Sequence, residues 1–65
     1  MDNNIKKYRK QLGFLQEELA QKCAVSRQTI NSIENNRYDP SLNLAFKLAQ
    51  VLGVKVDDLF NFEDK

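Results

Sequence analysis

The sequence contains no histidine and only one cysteine, Cys23, among its 65 residues. Histidine and cysteine supply most transition-metal ligands in proteins, so the sequence predicts no metal site, and one cysteine cannot form an internal disulfide. An unpaired cysteine agrees with a reducing compartment. Cys23 falls on an apolar helical stripe, which favours a small core hydrophobe over the alternative of a redox sensor.

Glycine is also scarce, with two residues, and neither belongs to a glycine-rich phosphate loop. No nucleophile motif is present, and the acidic pair Asp57 and Asp58 is better explained by the start of a helix than by acid–base chemistry. The sequence therefore predicts a protein that is not an enzyme and has no cofactor.

Long hydrophobic runs are missing as well. No apolar stretch approaches the roughly 20 residues that span a bilayer, and the start of the chain does not read as a signal peptide. A cytoplasmic protein is the expectation. The length predicts one domain over residues 1–65, with a modest core, no separate ligand-sensing unit and no evident small-molecule ligand.

The formal net charge is only +1, but the charge is unevenly distributed. Residues 1–37 carry a formal charge of +3 and residues 38–65 carry −2. A basic half is what a footprint on nucleic-acid phosphates requires.

Residues 16–35 are predicted to form two short helices joined by a tight turn. Leu19, Ala20 and Cys23 give the first helix an apolar stripe, and Ser26 is a good N-cap for a second helix beginning at Arg27. A link of about three residues forces a steep crossing, which is the arrangement of a helix-turn-helix.

The second helix, predicted over about residues 27–35, has one apolar face with Ile30 and Ile33. Its opposite face offers guanidinium, amide and hydroxyl groups at Arg27, Gln28, Asn31 and Ser32. In a DNA major groove, arginine reads guanine and glutamine or asparagine reads adenine. A solvated helix face is the alternative, but the preceding helix and turn favour base reading.

The chain resembles the Cro/C1-type (XRE-like) helix-turn-helix transcriptional regulators, as a short single-domain member. The motifs that carry the resemblance are QEELA at 16–20, VSRQTI at 25–30, IEN at 33–35 and PSL at 40–42. The resemblance implies an all-α, five-helix, lambda-repressor-like DNA-binding domain, with a small terminal β-strand pairing as an option.

Two positions depart from the family pattern. Leu15 stands where serine or threonine is usual, which removes a helix cap worth on the order of 1 kcal/mol. Ala24 stands where glycine is frequent, and a positive φ there strains an alanine.

Arg9 and Glu34 are each a charged residue on an otherwise apolar helical stripe. A buried charge requires a partner, so we expect these two residues to form a structural ion pair, as the resemblance also implies. Two separate surface charges are the alternative. The predicted phosphate contacts are Gln16, Asn35, Arg37 and Tyr38, together with Lys6 and Lys10. For Tyr38, packing at the junction of the third and fourth helices is the alternative.

The C-terminal third is predicted to hold two more helices. Ser41 caps a fourth helix with a core stripe, and a short fifth helix covers residues 54–60. The stripe consists of Leu42, Ala45, Leu48, Ala49 and Leu52. The end of the chain alternates apolar and polar residues, so it needs a strand partner, either residues 1–4 or a second subunit.

Aromatic residues near the C-terminus predict a homodimer interface formed by Leu59, Phe60 and Phe62, with packing inside the monomer as the alternative. These features together predict a sequence-specific double-stranded DNA-binding regulator, acting as a repressor on an inverted repeat. The rival interpretation is a protein-interaction module, such as an antitoxin or adaptor, built on the same fold.

Overall fold

In a computed structural model of the chain, residues 1–61 are described. Five helices follow one another: α1 (Ile5–Gln11), α2 (Gln16–Lys22), α3 (Arg27–Glu34), α4 (Leu42–Leu52) and α5 (Val56–Leu59). The extended structure described within residues 1–61 is one antiparallel bridge between Asn3 and Phe60. The all-α prediction is confirmed. None of these five helices has the length and apolar character needed to cross a bilayer.

The helix ends follow the local chemistry of the sequence. The hydroxyl of Ser26 accepts a hydrogen bond from the backbone N–H of Thr29 at 3.1 Å, and that of Ser41 accepts from Leu44 at 3.2 Å. Gly13 follows α1 with φ of 76°, and its turn is closed by the N–H of Phe14 donating to the carbonyl of Arg9 at 3.0 Å. These caps set the starts of α3 and α4 and turn the chain after α1.

The start of α2 compensates in part for its leucine cap. Leu15 has no polar side chain, but the carboxylate of Glu18 accepts from the Leu15 backbone N–H at 2.8 Å. This bond is one half of a capping box, and the reciprocal half is chemically impossible for leucine.

The turn between α2 and α3 contains a strained alanine. Ala24 has φ of 58°, in the left-handed region that favours glycine, so the cost considered for an alanine at this position applies. The turn is closed by the N–H of Val25 donating to the carbonyl of Ala20 at 3.0 Å. Ala20 itself is 2% exposed, and its small side chain allows α3 to approach α2 closely.

All five helices contribute to one continuous core. The large side chains with less than 2% exposure are Ile5, Leu19, Ile30, Ile33, Leu48 and Leu59. Truncating one of these residues to alanine typically costs about 2–5 kcal/mol, because a cavity remains where the side chain was. The core therefore fixes the outward face of α3 by fixing its inward face.

Burial corrects two assignments made from the sequence. Leu42 was expected on the core stripe of α4, but it is the first residue of that helix and is 69% exposed. Leu59 was assigned to a dimer interface, but it is fully buried in the core of its own chain. Its backbone carbonyl accepts from the N–H of Asn4 at 2.7 Å, which holds α5 against the start of the chain. Leu59 is therefore not available to a second subunit.

The fifth helix is shorter than predicted. Gly53 has a left-handed conformation, and the turn that it forms includes Val54, whose N–H donates to the carbonyl of Ala49 at 3.0 Å. Lys55, the next residue, is extended. The helix therefore begins only at Val56. Beyond it, Phe60 is extended and the N–H of Asn61 donates to the carbonyl of Asp2 at 2.9 Å, so residues 59–61 pair with residues 2–4. Phe62 lies outside the described residues.

Cys23 packs as a core residue and is 3% exposed. Burial raises the pKa of its thiol, and the nearby Lys47 ammonium opposes this shift only in part. The thiol is therefore protonated at neutral pH, as expected for a small hydrophobe.

The strain at Ala24 generates a prediction. Ala24→Gly should raise the free energy of unfolding by roughly 0.5 to 1 kcal/mol, because it relieves the left-handed strain and costs a smaller amount of backbone entropy. Urea unfolding followed by circular dichroism measures the change. Gly13→Ala is the matched reverse: an added Cβ meets no atom within 4 Å, so only the backbone strain at φ of 76° should lower the stability. A lower stability for Ala24→Gly would contradict this account.

Candidate nucleic-acid interface

The outward face of α3 carries the four predicted base-reading residues. Arg27, Gln28 and Asn31 are exposed and Ser32 is half-buried. On the opposite side of the helix, Ile30 and Ile33 are each 1% exposed. The helix is thus fixed in rotation by its apolar side, while its polar side faces outward.

A shallow concavity of about 290 Å³ joins this face to the loop after α3. Its lining residues are Ser26, Gln28, Thr29, Ser32, Arg37 and Tyr38. The structure therefore brings two predicted base readers, Gln28 and Ser32, together with two predicted phosphate contacts from the loop. Tyr38 is 51% exposed, so its ring is open to solvent at this concavity.

A second concavity of about 290 Å³ lies at the start of α2. It is lined by Arg9, Leu15, Gln16, Glu17 and Arg27. Arg27 is thus brought close to Gln16 across the crossing of α2 and α3. Lys6 and Lys10 are exposed on α1 and line neither concavity.

Arg9 and Glu34 meet beneath this surface in a bidentate pair. The Nε of Arg9 donates to Oε2 of Glu34 at 2.7 Å, and Nη2 donates to Oε1 at 3.2 Å. The side chains are 9% and 2% exposed, and Nη1 of Arg9 also donates to the carbonyl of Phe14 at 2.8 Å. One guanidinium therefore joins α1, the turn that leads into α2, and the end of α3.

Gln16 extends this pair to the surface. Its Nε2 donates to Oε1 of Glu34 at 3.0 Å and to Oδ1 of Asn31 at 3.2 Å. Both amide hydrogens are then used inside the protein, and the side chain offers only an acceptor oxygen outward. In this arrangement the Gln16 side chain does not donate to a phosphate. A phosphate contact by Gln16 would therefore use its backbone N–H in the first turn of α2.

Asn35 folds back along α3. Its Nδ2 donates to the backbone carbonyl of Asn31 at 2.8 Å and to Oδ1 of Asn31 at 3.1 Å. Of the predicted phosphate residues, Arg37 and Tyr38 are exposed beside the outward face of α3, and Asn35 is held against that helix.

Two residues of this region were not identified from the sequence. The hydroxyl of Thr29 lies 3.0 Å from that of Ser26 in the first concavity. Its position one helical turn before Ser32 is the sequence feature from which this location could have been predicted. The Nδ2 of Asn3 donates to the carbonyl of Ile33 at 2.8 Å, which ties the start of the chain to the end of α3. Nothing in the sequence pattern pointed to that long-range bond.

Comparison with known sequences finds relatives along nearly the whole chain. A family model described as helix-turn-helix matches residues 5–59. An uncharacterized HTH-type transcriptional regulator of Methanocaldococcus jannaschii is 55% identical over 64 residues, which cover 98% of this chain and 97% of the relative.

Comparison with solved structures finds the same arrangement of helices. The N-terminal DNA-binding domain of SinR from Bacillus subtilis matches with a TM-score of 0.75 and 41% identity, over 82% of this chain and 78% of that one. A structure of SinR, a master regulator for biofilm formation, in complex with DNA gives the same score and identity over 86% of its chain. The restriction-modification controller protein C.AhdI from Aeromonas hydrophila matches with a TM-score of 0.81 and 28% identity, over 88% of this chain and 86% of that one. The chain thus has the lambda-repressor-like helix-turn-helix fold.

The buried ion pair generates a prediction about stability. Arg9→Met and Glu34→Leu should each lower the free energy of unfolding by about 3 kcal/mol, because each leaves one buried charge without its partner. The double variant should lose less than the sum of the two by at least about 1.5 kcal/mol, because it leaves neither charge behind. Denaturant unfolding of the four proteins gives the coupling energy. Additive losses would mean that the two side chains contribute independently.

Proposed function

The chain belongs to the helix-turn-helix family of transcriptional regulators, and from this membership we propose that it binds double-stranded DNA as a repressor. In this proposal a homodimer of the chain occupies an inverted-repeat operator. The observation that carries the proposal is the outward face of α3, where Arg27, Gln28, Asn31 and Ser32 lie opposite a buried apolar side. In this proposal α3 enters the major groove and these side chains contact base edges.

Phosphate contacts on the flanks of α3 orient the helix in the groove. Arg37 and Tyr38 lie on one flank, in the concavity shared with Gln28, and the start of α2 lies on the other. Asn35, Lys6 and Lys10 are further candidates for contacts with the backbone. The charge distribution supports this placement, because residues 1–37 carry +3 and include Arg37 and the start of α2.

The homodimer rests on an exposed apolar surface at the end of the molecule that carries α5. Leu42 and Phe46 are 69% and 57% exposed and lie one turn apart on α4. Beside them is a groove of about 430 Å³ lined by Met1, Asp39, Pro40, Leu42, Ala45, Val56, Asp57 and Phe60. To occupy successive major grooves, such a two-fold dimer must hold its two recognition helices about 34 Å apart.

Repression is the simpler outcome of such binding. Occupancy of an operator that overlaps a promoter blocks polymerase without any further contact, whereas activation requires a second surface that recruits polymerase. The sign of regulation is measured by placing the selected operator upstream of a reporter gene.

The same exposed apolar surface supports a second candidate function. A protein-interaction module, acting as an antitoxin or adaptor, would use the exposed Leu42 and Phe46, with the groove lined by the half-buried Phe60, to hold a partner protein rather than a second copy. Binding to random duplex DNA separates the two candidates. A DNA-binding protein loses affinity steeply as salt rises, because it releases counterions from the phosphates, and an interaction module has no such affinity to lose.

Selection of bound sequences from a random duplex pool, at near-physiological salt, tests the proposed function directly. We expect a palindromic site with two half-sites separated by about one helical turn. A non-palindromic site would contradict the homodimer, and recovery of no sequence above background would favour the protein-interaction module.

Two substitutions separate base reading from phosphate binding. Gln28→Ala should cost about 1–3 kcal/mol on the selected site and relax the preference at one base pair. Arg37→Ala should weaken binding to all sequences alike and reduce the salt dependence. Binding titrations on the selected site and on single-base variants measure both. If both proteins lost affinity uniformly on every duplex, the assignment of Gln28 to base reading would be wrong.

A charge placed on the exposed apolar surface tests the dimer. Leu42→Glu should shift the protein to monomer in sedimentation equilibrium and weaken binding to the full operator, while binding to a half-site persists. The monomer should remain folded, because Leu42 is exposed at the first position of α4, where an acidic residue suits the helix dipole. Leu12→Glu is the matched control, since Leu12 is 51% exposed next to α1 and lies outside the groove. An unchanged association state for Leu42→Glu would overturn this interface.

A further inference from the structure

The hydrogen bonds that run from the core to the surface of α3 have a fixed direction. They begin at Arg9, which can only donate, and pass to the carboxylate of Glu34, which accepts from it at 2.7 and 3.2 Å. A carboxylate facing a guanidinium has only acceptor oxygens to offer a third group. Whatever lies next to Glu34 must therefore turn a donor toward it.

Gln16 is the group beside Glu34, and this contact fixes the orientation of its amide. Only the nitrogen of the Gln16 amide can donate, so Nε2 and not Oε1 lies 3.0 Å from Oε1 of Glu34. The second hydrogen of Nε2 then points at Asn31, where the acceptor is Oδ1 at 3.2 Å. The polarity set by the buried ion pair is thereby passed to Asn31.

Asn35 fixes the Asn31 amide a second time and from another direction. The backbone carbonyl of Asn31 can only accept, so Asn35 turns its own nitrogen toward α3 and donates to that carbonyl at 2.8 Å. The same nitrogen lies 3.1 Å from Oδ1 of Asn31. Two independently oriented donors therefore converge on one oxygen.

The Asn31 side chain consequently presents its nitrogen outward. Both lone pairs of Oδ1 are occupied by Gln16 and Asn35. Within residues 1–61, no acceptor takes the hydrogens of Nδ2, and the residue is exposed on the face of α3. Asn31 is then a donor only, although its chemistry includes both a donor and an acceptor.

We propose that Asn31 reads guanine rather than adenine, because Gln16 and Asn35 hold its carbonyl oxygen away from the DNA. Bidentate reading of adenine requires an acceptor for its N6 amino group, and Asn31 has none to offer. Guanine presents two acceptors, N7 and O6, to the two hydrogens of Nδ2. Thymine presents a single acceptor, O4, and ranks second. This specificity rests on the proposed DNA-binding function.

Sequence selection with the wild type and with Asn31→Ala tests the base preference. The base pair at which Asn31→Ala relaxes the preference is the one that Asn31 contacts. At that pair the wild type should favour guanine over adenine by at least about fivefold. A preference for adenine, or no relaxed pair, would overturn the proposal. In either case the proposed DNA-binding function would still stand if at least one of Arg27, Gln28 and Ser32 specified a base. Failure of the proposed function itself would appear as the recovery of no selected site.

A double variant tests the role of Gln16 and Asn35 as positioning residues. Gln16→Met with Asn35→Ala removes both donors to Oδ1 and keeps the length of the side chain at position 16. The Asn31 amide can then turn, so guanine and adenine should become equivalent within about twofold at its base pair. The preference at the base pair read by Gln28 should be retained, which a general loosening of α2 against α3 would not allow. A guanine preference that persists in the double variant would overturn the positioning role.

Asn35→Ala alone is the matched control for this experiment. Gln16 still donates to Oδ1 in that variant, so the guanine preference should remain. Any loss of a phosphate contact by Asn35 would weaken binding to all sequences alike and leave the base preferences unchanged.

Amide exchange in the free wild-type protein gives a readout without DNA. The side-chain amide hydrogens of Gln16 should exchange more slowly than those of Asn31, and the reverse order would contradict the assigned orientation.

Discussion

The ion pair between Arg9 and Glu34 is the constraint on which the outward face of α3 depends. Removing two charges from water is costly, and the pair is retained only because nearly every polar atom in it finds a partner, including the carbonyl of Phe14 and the amide of Gln16. Apolar packing fixes the rotation of α3 through Ile30 and Ile33, but it does not orient the polar groups on the outer side of the helix. The ion pair sets the direction of the hydrogen bonds around it, because the guanidinium of Arg9 can only donate and the carboxylate of Glu34 can only accept.

Much of the fold was readable from the sequence because local chemistry specified it. Serine caps, helix-ending glycines and apolar spacing gave the boundaries of the first four helices to within a residue or two. Ala24 has the positive φ that glycine favours, at a turn position where glycine is frequent in the family. The errors have separate physical causes. Periodicity predicts which side of a helix is apolar, but not where along the helix the core ends, so Leu42 is exposed. Leu59 is buried in its own chain because α5 packs on the core, which an apolar residue close to the C-terminus does not by itself reveal.

The candidate site was predictable in composition but not in detail. Arg27, Gln28, Asn31 and Ser32 are on the outward face of α3 because helical geometry places them there. Their roles in DNA binding stay predictions. The bonds among Gln16, Asn31 and Asn35 depend on how α2 crosses α3 and on the rotamers of three amides, neither of which a pattern of residue types encodes. Spacing identifies the side chains that are presented, whereas the crossing decides which atoms of each side chain remain free.

The pairing of residues 2–4 with residues 59–61 brings the chain back to its starting point. Because the N–H of Asn61 meets the carbonyl of Asp2 at 2.9 Å, the folded segment enters and leaves at one place on its surface. A short peptide joining these two points would make the backbone circular with little distortion, and new ends could be opened in an exposed loop. The same proximity means that the domain could be spliced into a surface loop of an unrelated protein without pulling its helices apart.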